Sequence, residues 1–429
     1  ALMTLLFMLL GLLVLILMSV PIAIALAIVA TVAIVASQGL EMLPNIGLTM
    51  YEGASSFPLL AIPMFVLAGA VMNTGGISKR LIAFASALFG FIRGGLAMIN
   101  IGVSLFFAEI SGSAVADVAA TGSVLIPAMK KRGYPSSFAA AVTSSSASLA
   151  IIIPPSIPMI LYGVMSGASI VQLFVAGIVP GLLGAGGLMA LSYYYARKYN
   201  WPVEEVFQLK RVKQTAKEAG WALTLPIIIL GSIFGGFVTA TEGAGLAVLA
   251  AILISTVIYR ELDLKTLYKA IIDGGQQTAV VMLLVAASAL VGVFLTEMRM
   301  PQQLAQAVLG LTDNKYAILM ILNVFFLLIG LFLHSAAAII LVVPIVMPLI
   351  GAAGIDPVHF GLIVCLNLAI GQQTPPVASV LITACSIAKC DVWSVTRSNI
   401  GFIGVLMIVL LLVTYIPAIP MALVELFYR

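Results

Sequence analysis

Two proline pairs stand inside long apolar runs, and they determine what chemistry this chain can do. Pro154-Pro155 follows Ser144-Ser145-Ser146-Ala147-Ser148. Pro375-Pro376 follows Asn367 and Gly371-Gln372-Gln373-Thr374. Proline has no amide hydrogen and its ring clashes with the preceding turn, so two in a row unwind a helix. The carbonyls released in this way must face a cavity or protein rather than lipid. A second pair of interruptions is matched in the same manner. Glu109-Ile110-Ser111-Gly112-Ser113 breaks one apolar run, and the stretch from Gly330 to His334-Ser335 breaks another. Carbonyls with Ser and Thr hydroxyls make a hard-oxygen environment, which suits a hard cation. With so little fixed negative charge nearby, a monovalent ion such as Na+ fits best. Helix N-termini aimed at the same cavity favour an anion. The pattern places two Na+ sites. One lies between the 109–113 tip and the 150–156 break, the other between Gly330 and the 371–377 break.

Few ionisable groups lie in apolar sequence. Asp117, one turn past the first tip, reads either as an ion ligand or as a group that orders the tip. Glu242, in Thr239-Ala240-Thr241-Glu242-Gly243, reads as a helix cap or as a functional carboxylate. His334 reads as a substrate contact or as a satisfied buried histidine.

The elements that position these residues are membrane helices. Of 429 residues 62% are hydrophobic and only 8% charged, and the mean hydropathy is +1.21. A soluble domain carries about 25% charged residues. This excludes a cytosolic enzyme, a secreted domain, a nucleic-acid binder and a disordered chain. A span needs about 20 apolar residues. Runs such as 222–238 and 400–424 lack the alternation of a barrel strand, so the chain is an all-α polytopic membrane protein. Cys365, Cys385 and Cys390 show no CxxC or Cys/His spacing and read as small buried apolar residues. No transition-metal site is expected.

The chain also repeats itself. Pro127, Gly133, Pro154 and Pro155 have partners at Pro348, Gly354, Pro375 and Pro376, each 221 residues on. The reading is two repeats, 1–199 and 220–429, joined by a basic linker at 200–219 that carries an amphipathic helix. Each repeat holds a re-entrant hairpin (94–131 and 315–351) and a Pro-broken helix (135–166 and 357–388). Polar-edged segments at 38–56, 75–93, 260–275 and 297–315 flank separate apolar helices at 57–74 and 276–296. Five crossings per repeat invert the second repeat relative to the first. With the linker in the cytoplasm, 17 of the 20 Lys and Arg fall on that side, leaving Arg299, Lys315 and Arg429 outside. That bias satisfies the positive-inside rule and puts both termini outside. Inverted repeats with interrupted helices are the architecture of a secondary transporter.

The matched segments also carry a family resemblance. The stretches FPLLAIPMFVLAGAVMNTGGI (57–77), SGSAVADVAATGSVLIPAMKKRGYP (111–135), AGIVPGLL (176–183), GGFVTATEGAGLAV (235–248) and GQQTPPVASVL (371–381) resemble the large (M) membrane subunit of tripartite ATP-independent periplasmic (TRAP) transporters. Ala240 stands where many members have proline. The 144–163 and 366–379 stretches look most like the sialic acid (N-acetylneuraminate) branch. The resemblance implies Na+-driven uptake of an organic acid across the bacterial inner membrane by an elevator mechanism. It implies a periplasmic substrate-binding (P) protein and a small (Q) membrane subunit. This chain opens directly on its first helix, so that subunit is expected as a separate polypeptide. Carried onto this sequence, the sodium ligands are Ser111, Ser113, Asp117, Ser145, Ser148, Ala150, Ile153 and Ser156, with Gly330, Gly371, Thr374 and Val377. The substrate contacts are Ser113, Ser146, Pro154, Pro155, His334, Ser335, Gln372, Gln373 and Pro375. A C4-dicarboxylate or another carboxylate is the alternative substrate.

Three rival readings fit less well. A proton-coupled carboxylate transporter without a binding protein wants a chain of Asp, Glu or His through the bundle. A channel wants rings of filter groups. An intramembrane enzyme wants a His-rich metal motif or G-x-S-x-G. None of these is present in the sequence.

Overall fold

The computed structural model describes residues 2–204, 206–376 and 378–428. The side chains of 2–6, 9 and 109–111 fall outside the description. Val377 and the Ser111 side chain, both expected ion ligands, therefore lie outside the described residues. All regular structure among the described residues is helical. Large apolar side chains such as Leu17, Val32, Ile227, Val280 and Ile400 are exposed. That suits a surface solvated by lipid rather than water.

The first half begins with α1 (Leu2–Leu17) and α2 (Ile22–Gln38), separated at the Pro21 turn. Next come α3 (Leu43–Ala54), α4 (Ala61–Thr74) and α5 (Ile77–Phe89). The first hairpin is α6 (Gly95–Ser111), α7 (Ala114–Asp117), a π turn at Val118–Gly122 and α8 (Ser123–Lys131). The first broken helix is α9 (Ser136–Ala147), a 3-10 turn at Ser148–Ile151 and α10 (Ile157–Ser166). The long α11 (Ile170–Lys198) leads to the linker and its helix α12 (Leu209–Glu218).

The second half follows the same order with α13 (Gly220–Phe234), α14 (Ala240–Leu253), α15 (Leu264–Glu297) and α16 (Met300–Leu309). Its hairpin is α17 (Lys315–Phe332) and α18 (Ser335–Ala352). Its broken helix is α19 (Pro357–Gly371) and α20 (Ser379–Ala388), followed by α21 (Val392–Tyr415) and α22 (Ala418–Tyr428).

Seven described helices are long and apolar enough to span a bilayer, or eight if the bent α12–α13 pair counts as one span. Both arms of the second hairpin are among the seven. By length and composition alone, the ten expected crossings are therefore not all single long helices. The two proline breaks divide one expected crossing in each half, and α1, α2 and α13 hold 16, 17 and 15 residues.

One expected boundary is absent. The polar segment 260–275 and the apolar helix 276–296 are a single helix, α15, of 34 residues. At 1.5 Å per residue it is about 51 Å long. Gly274-Gly275 does not stop it, because neither residue is followed by proline or a capping residue. Asp263 caps its start by accepting from the Thr266 amide at 2.7 Å. Hydrogen bonds from Thr266 hold the Asp263 carboxyl below the usual carboxylate range. This long helix packs against α2, α3, α4 and α18. At Gly53 of α3 the approach is so close that a Cβ would meet the Ala289 Cβ at 2.3 Å.

Glu242 resolves as a cap. Thr239 and Glu242 form a reciprocal capping box at the start of α14, with the Thr239 amide 2.8 Å from Glu242 Oε2. The start of α13 is capped from further away. Tyr259 Oη accepts from the orphan Ala222 amide at 3.1 Å and donates to the Glu218 carbonyl at 3.0 Å. Arg80 lies over the Tyr259 ring, 3.7 Å from its centroid, and pairs with Glu261 at 2.7 Å. This ties α5 to the turn after α14. Tyr259→Phe removes the only hydroxyl that serves both backbone groups. The expected loss is about 1 kcal/mol, read as a lowered thermal unfolding midpoint of the purified protein, with Arg80 left in place.

Candidate functional site

Each hairpin tip touches the break of its own half. In the first half, the Ile157 amide, just past Pro154-Pro155, lies 3.4 Å from the Gly112 carbonyl. In the second, Gly330 and Gly371 meet backbone to backbone. A Cβ on Gly371 would sit 2.6 Å from the Gly330 backbone, so no larger residue fits there without parting hairpin from break. These are the two pairings expected for the ion sites. Both breaks contain a cis peptide, at Pro154-Pro155 and Pro375-Pro376.

The freed carbonyls follow from the prolines. Pro154 and Pro155 supply no amide to the Ala150 and Ile151 carbonyls four residues back. The Ile151 carbonyl is taken by the Ser156 hydroxyl at 2.7 Å. Ser156 also caps α10 by accepting from the Met159 amide. In the second break, the Gly371 carbonyl accepts from the Thr374 amide at 3.0 Å, and the Gln372 carbonyl accepts from Val380 at 3.2 Å. Thr374 Oγ1 donates to the Ile370 carbonyl at 3.0 Å. A hydroxyl oxygen has two acceptor positions. Ser148 and Ser156 each use one within the protein and keep one for a ligand.

A small cavity of about 60 Å³ lies between the two tips. Gly112, Ser113 and Ala114 line one side, and His334, Ser335 and Ala336 the other, with Gln372, Val281 of α15, and Ile151, Ile157 and Pro158 around the first break completing it. Four expected substrate residues, Ser113, His334, Ser335 and Gln372, therefore share one cavity. Ser113 and His334 stand 221 residues apart and do the same job. Each side chain accepts from an amide of the helix that follows its tip, Ser113 from Ala116 and His334 Nδ1 from Ala336. His334 is thus both a cap and a wall of the cavity. The Gln372 amide nitrogen is buried without a hydrogen-bond partner among the described residues.

Pro154, Pro155, Pro375, Ser146 and Gln373 do not line this cavity. Gln373 instead joins the two halves. Its Oε1 lies 2.7 Å from Ser145 Oγ and accepts from Asn399 Nδ2 at 3.1 Å. Its Nε2 donates to Ser148 Oγ at 2.6 Å. Ser145 Oγ also lies 2.5 Å from Asn399 Oδ1. The single Ser145 hydroxyl hydrogen serves one of these two oxygens at a time. All four side chains are fully buried.

Ser146 anchors a hairpin. It accepts from Ser104 of α6 at 2.9 Å and reaches Asn100, which donates to Thr143 at 2.6 Å. Asn367, 221 residues after Ser146, does the same in the second half. It donates to Asn323 of α17 at 2.8 Å, and Asn323 donates to Thr414 at 3.1 Å. Two further bonds cross between the halves, one from a hairpin and one from a broken helix. Lys130 donates to the Ala388 carbonyl at the end of α20 at 2.8 Å, and Tyr162 of α10 donates to the Pro357 carbonyl at 2.6 Å. Asp117 is fully buried beside the π turn, away from the tip cavity, and its carbonyl accepts from Thr121 Oγ1. Asn100, Asn323 and Asn399 were not singled out from the sequence. For Asn100 and Asn323 the one signal is a lone amide in an apolar run; Asn399 follows Arg397-Ser398 and has no such signal.

The family model for the tripartite ATP-independent periplasmic transporter, DctM component, matches residues 9–419. An isethionate TRAP transporter permease protein DctMQ of Oleidesulfovibrio alaskensis is 42% identical over 94% of this chain. The chain spans 64% of that relative's length. A sialic acid TRAP transporter large permease protein SiaM of Vibrio cholerae is 38% identical, with 88% of each chain covered. The crystal structure of the Alcanivorax borkumensis YdaH transporter shares the fold. Its TM-score is 0.63 at 15% identity, covering 87% of this chain and 88% of that one.

Gln373→Ala is expected to leave Ser145, Ser148 and Asn399 without their shared partner, at roughly 1–3 kcal/mol. Thermal unfolding checks it. The Ser145→Ala/Gln373→Ala double variant should lose less than the sum of the two singles.

Proposed function

The chain belongs to the DctM component family of tripartite ATP-independent periplasmic transporters, and from that premise we propose that it moves an organic anion inward with Na+. The observation that carries this reading is the cavity shared by both hairpin tips and Gln372. Hydrogen-bond donors face it. The first amides of α18 have no partner within their own helix, and that end of the helix is electropositive. The buried Gln372 nitrogen adds a further donor. The oxygen-rich breaks beside it supply what a monovalent cation needs, and no cluster of His, Cys, Asp or Glu suited to a metal occurs among the described residues.

The tip cavity, at about 60 Å³, has room for about two waters at their liquid volume. Ligand pockets run to about 300 Å³ and more, so the tips must part to admit an organic anion. Na+ bound at the two breaks neutralises carbonyl density and favours the ordered tips. A neutralised unit crosses the bilayer at lower cost than exposed charge. In this reading the breaks, hairpins, α11 and α21 travel together past α2, α4, α14 and α15, as an elevator. The two halves are inverted repeats of five crossings, with the linker cytoplasmic and both termini periplasmic. The partners are a small membrane subunit and a periplasmic binding protein in the bacterial inner membrane.

N-acetylneuraminate is the proposed substrate on the strength of the 144–163 and 366–379 stretches. The similarity of 42% to an isethionate permease supports a small sulfonate as the second reading.

The test is uptake into proteoliposomes that hold this chain with its small membrane partner. Labelled N-acetylneuraminate should enter only with an inward Na+ gradient and the soluble binding protein. Entry of isethionate alone, under the same two requirements, would discard the sugar acid and keep the mechanism. Entry driven by protons would discard the Na+ sites. Thr374→Ala and Ser111→Ala should each raise the Na+ concentration for half-maximal uptake, roughly tenfold if one ligand worth ~1.4 kcal/mol is lost.

A further inference from the structure

A larger cavity, of about 540 Å³, lies far from the tips. It opens where the starts of α9 and α21 meet the end of α11 and the linker. Its walls are aromatic. Phe138 and Trp201 pack with ring centroids 4.4 Å apart, and Tyr199 stacks on Trp201 at 5.6 Å. Its polar groups are donors. Arg397 lines it and makes no ion pair or hydrogen bond among the described residues. Ser398 donates to Ser137 at 3.0 Å, which leaves the Ser137 hydroxyl hydrogen for a ligand. The Lys198 ammonium lies 5.5 Å from the centroid of the Tyr199 ring that walls the cavity. Among the described residues no carboxylate lines the cavity.

The chemistry selects among ligands. A quaternary ammonium would favour the aromatic walls but not Arg397. A small inorganic anion would use Arg397 and Ser137 but gain nothing from the four aromatic rings of Phe138, Tyr195, Tyr199 and Trp201. A phosphodiester with a glycerol attached uses both. Basic pockets between spanning helices on the cytoplasmic side take anionic headgroups, and Trp and Tyr gather at the membrane–water boundary. We propose that this cavity holds the headgroup of an anionic phospholipid, with its phosphate on Arg397 and Ser137 and its glycerol against Tyr199 and Trp201. The placement rests on the proposed orientation in which the linker is cytoplasmic. Because Trp201 belongs to the linker and Arg397 to α21, the lipid fastens the linker to the broken-helix unit. The Arg132–Glu204 pair, at 3.2 Å, adds a second strap at the same end.

The test uses the complete complex in phosphatidylcholine nanodiscs doped with phosphatidylglycerol. Lipid retained after extraction is counted by native mass spectrometry, without Na+ or substrate. Arg397→Gln should lower retained phosphatidylglycerol about fivefold, the effect of one interfacial cation. Arg397→Lys should lower it less, and Lys210→Gln, elsewhere on the linker, should not. Ser137→Ala gives an independent reading if Arg397→Gln fails to fold. Equal retention in wild type and Arg397→Gln would overturn the proposal. So would equal retention of phosphatidylcholine, or displacement by glycerol 3-phosphate, which would mark a soluble phosphoester site. Loss of lipid binding leaves the transport reading standing, and loss of transport leaves the lipid site standing. Labelling of a Lys213→Cys variant from outside would instead remove the orientation on which the lipid site rests.

Discussion

A buried amide, Gln373, holds the two halves of the molecule to one another. Its partners Ser145 and Ser148 lie in the first broken helix, and Asn399 lies in the helix after the second. None of these groups reaches solvent. In a low-dielectric interior an unpaired amide is costly, so the contact is kept or lost as a whole. The breaks therefore cannot slide past each other without stranding several polar groups at once. Ser146 and Asn367 extend the same constraint outward by tying each broken helix to its hairpin. Lys130 and Tyr162 close the arrangement by crossing from one half to the other.

This constraint gives the tips their geometry. Each tip rests on a break that is fixed to the opposite half, so the two tips meet over one cavity instead of two. Ser113 and His334 cap the helices that leave those tips, and this is why polar side chains stand at the cavity wall. The long α15 contributes only Val281 there. It packs mainly on α2, α3, α4 and the hairpin arm α18. The site thus belongs almost wholly to the hydrogen-bonded unit, and α15 offers it a smooth apolar face.

Much of this was legible in the residues. The proline pairs, the glycine- and serine-marked tips and the 221-residue register could be read because proline and glycine have fixed consequences for a backbone in lipid. The pairing of tip with break followed from that register. The hydrogen-bond network was not legible. Gln373 was readable as a polar residue at a break, but its partners lie 225 and 228 residues away. Nothing local distinguishes a side chain that faces substrate from one that faces another helix. The continuity of α15 was not legible, because the charged residues of 260–275 read as a polar segment apart from the apolar run 276–296, and one helix of 34 residues carries both. The sequence left Glu242 as either a helix cap or a functional carboxylate, and the structure places it in a capping box with Thr239.

The central claim is that the two broken helices and their hairpins move as one body. The most direct measurement locks them together and asks whether transport survives. Ser137 of α9 and Ser398 of α21 bring their hydroxyls within 3.0 Å, close enough for a paired-cysteine variant to form a disulfide. In a background lacking Cys365, Cys385 and Cys390, the oxidised Ser137→Cys/Ser398→Cys protein should retain Na+-driven uptake close to that of its reduced form. Uptake that falls to background on oxidation and returns on reduction would show that α9 and α21 must separate during transport, and would contradict the account.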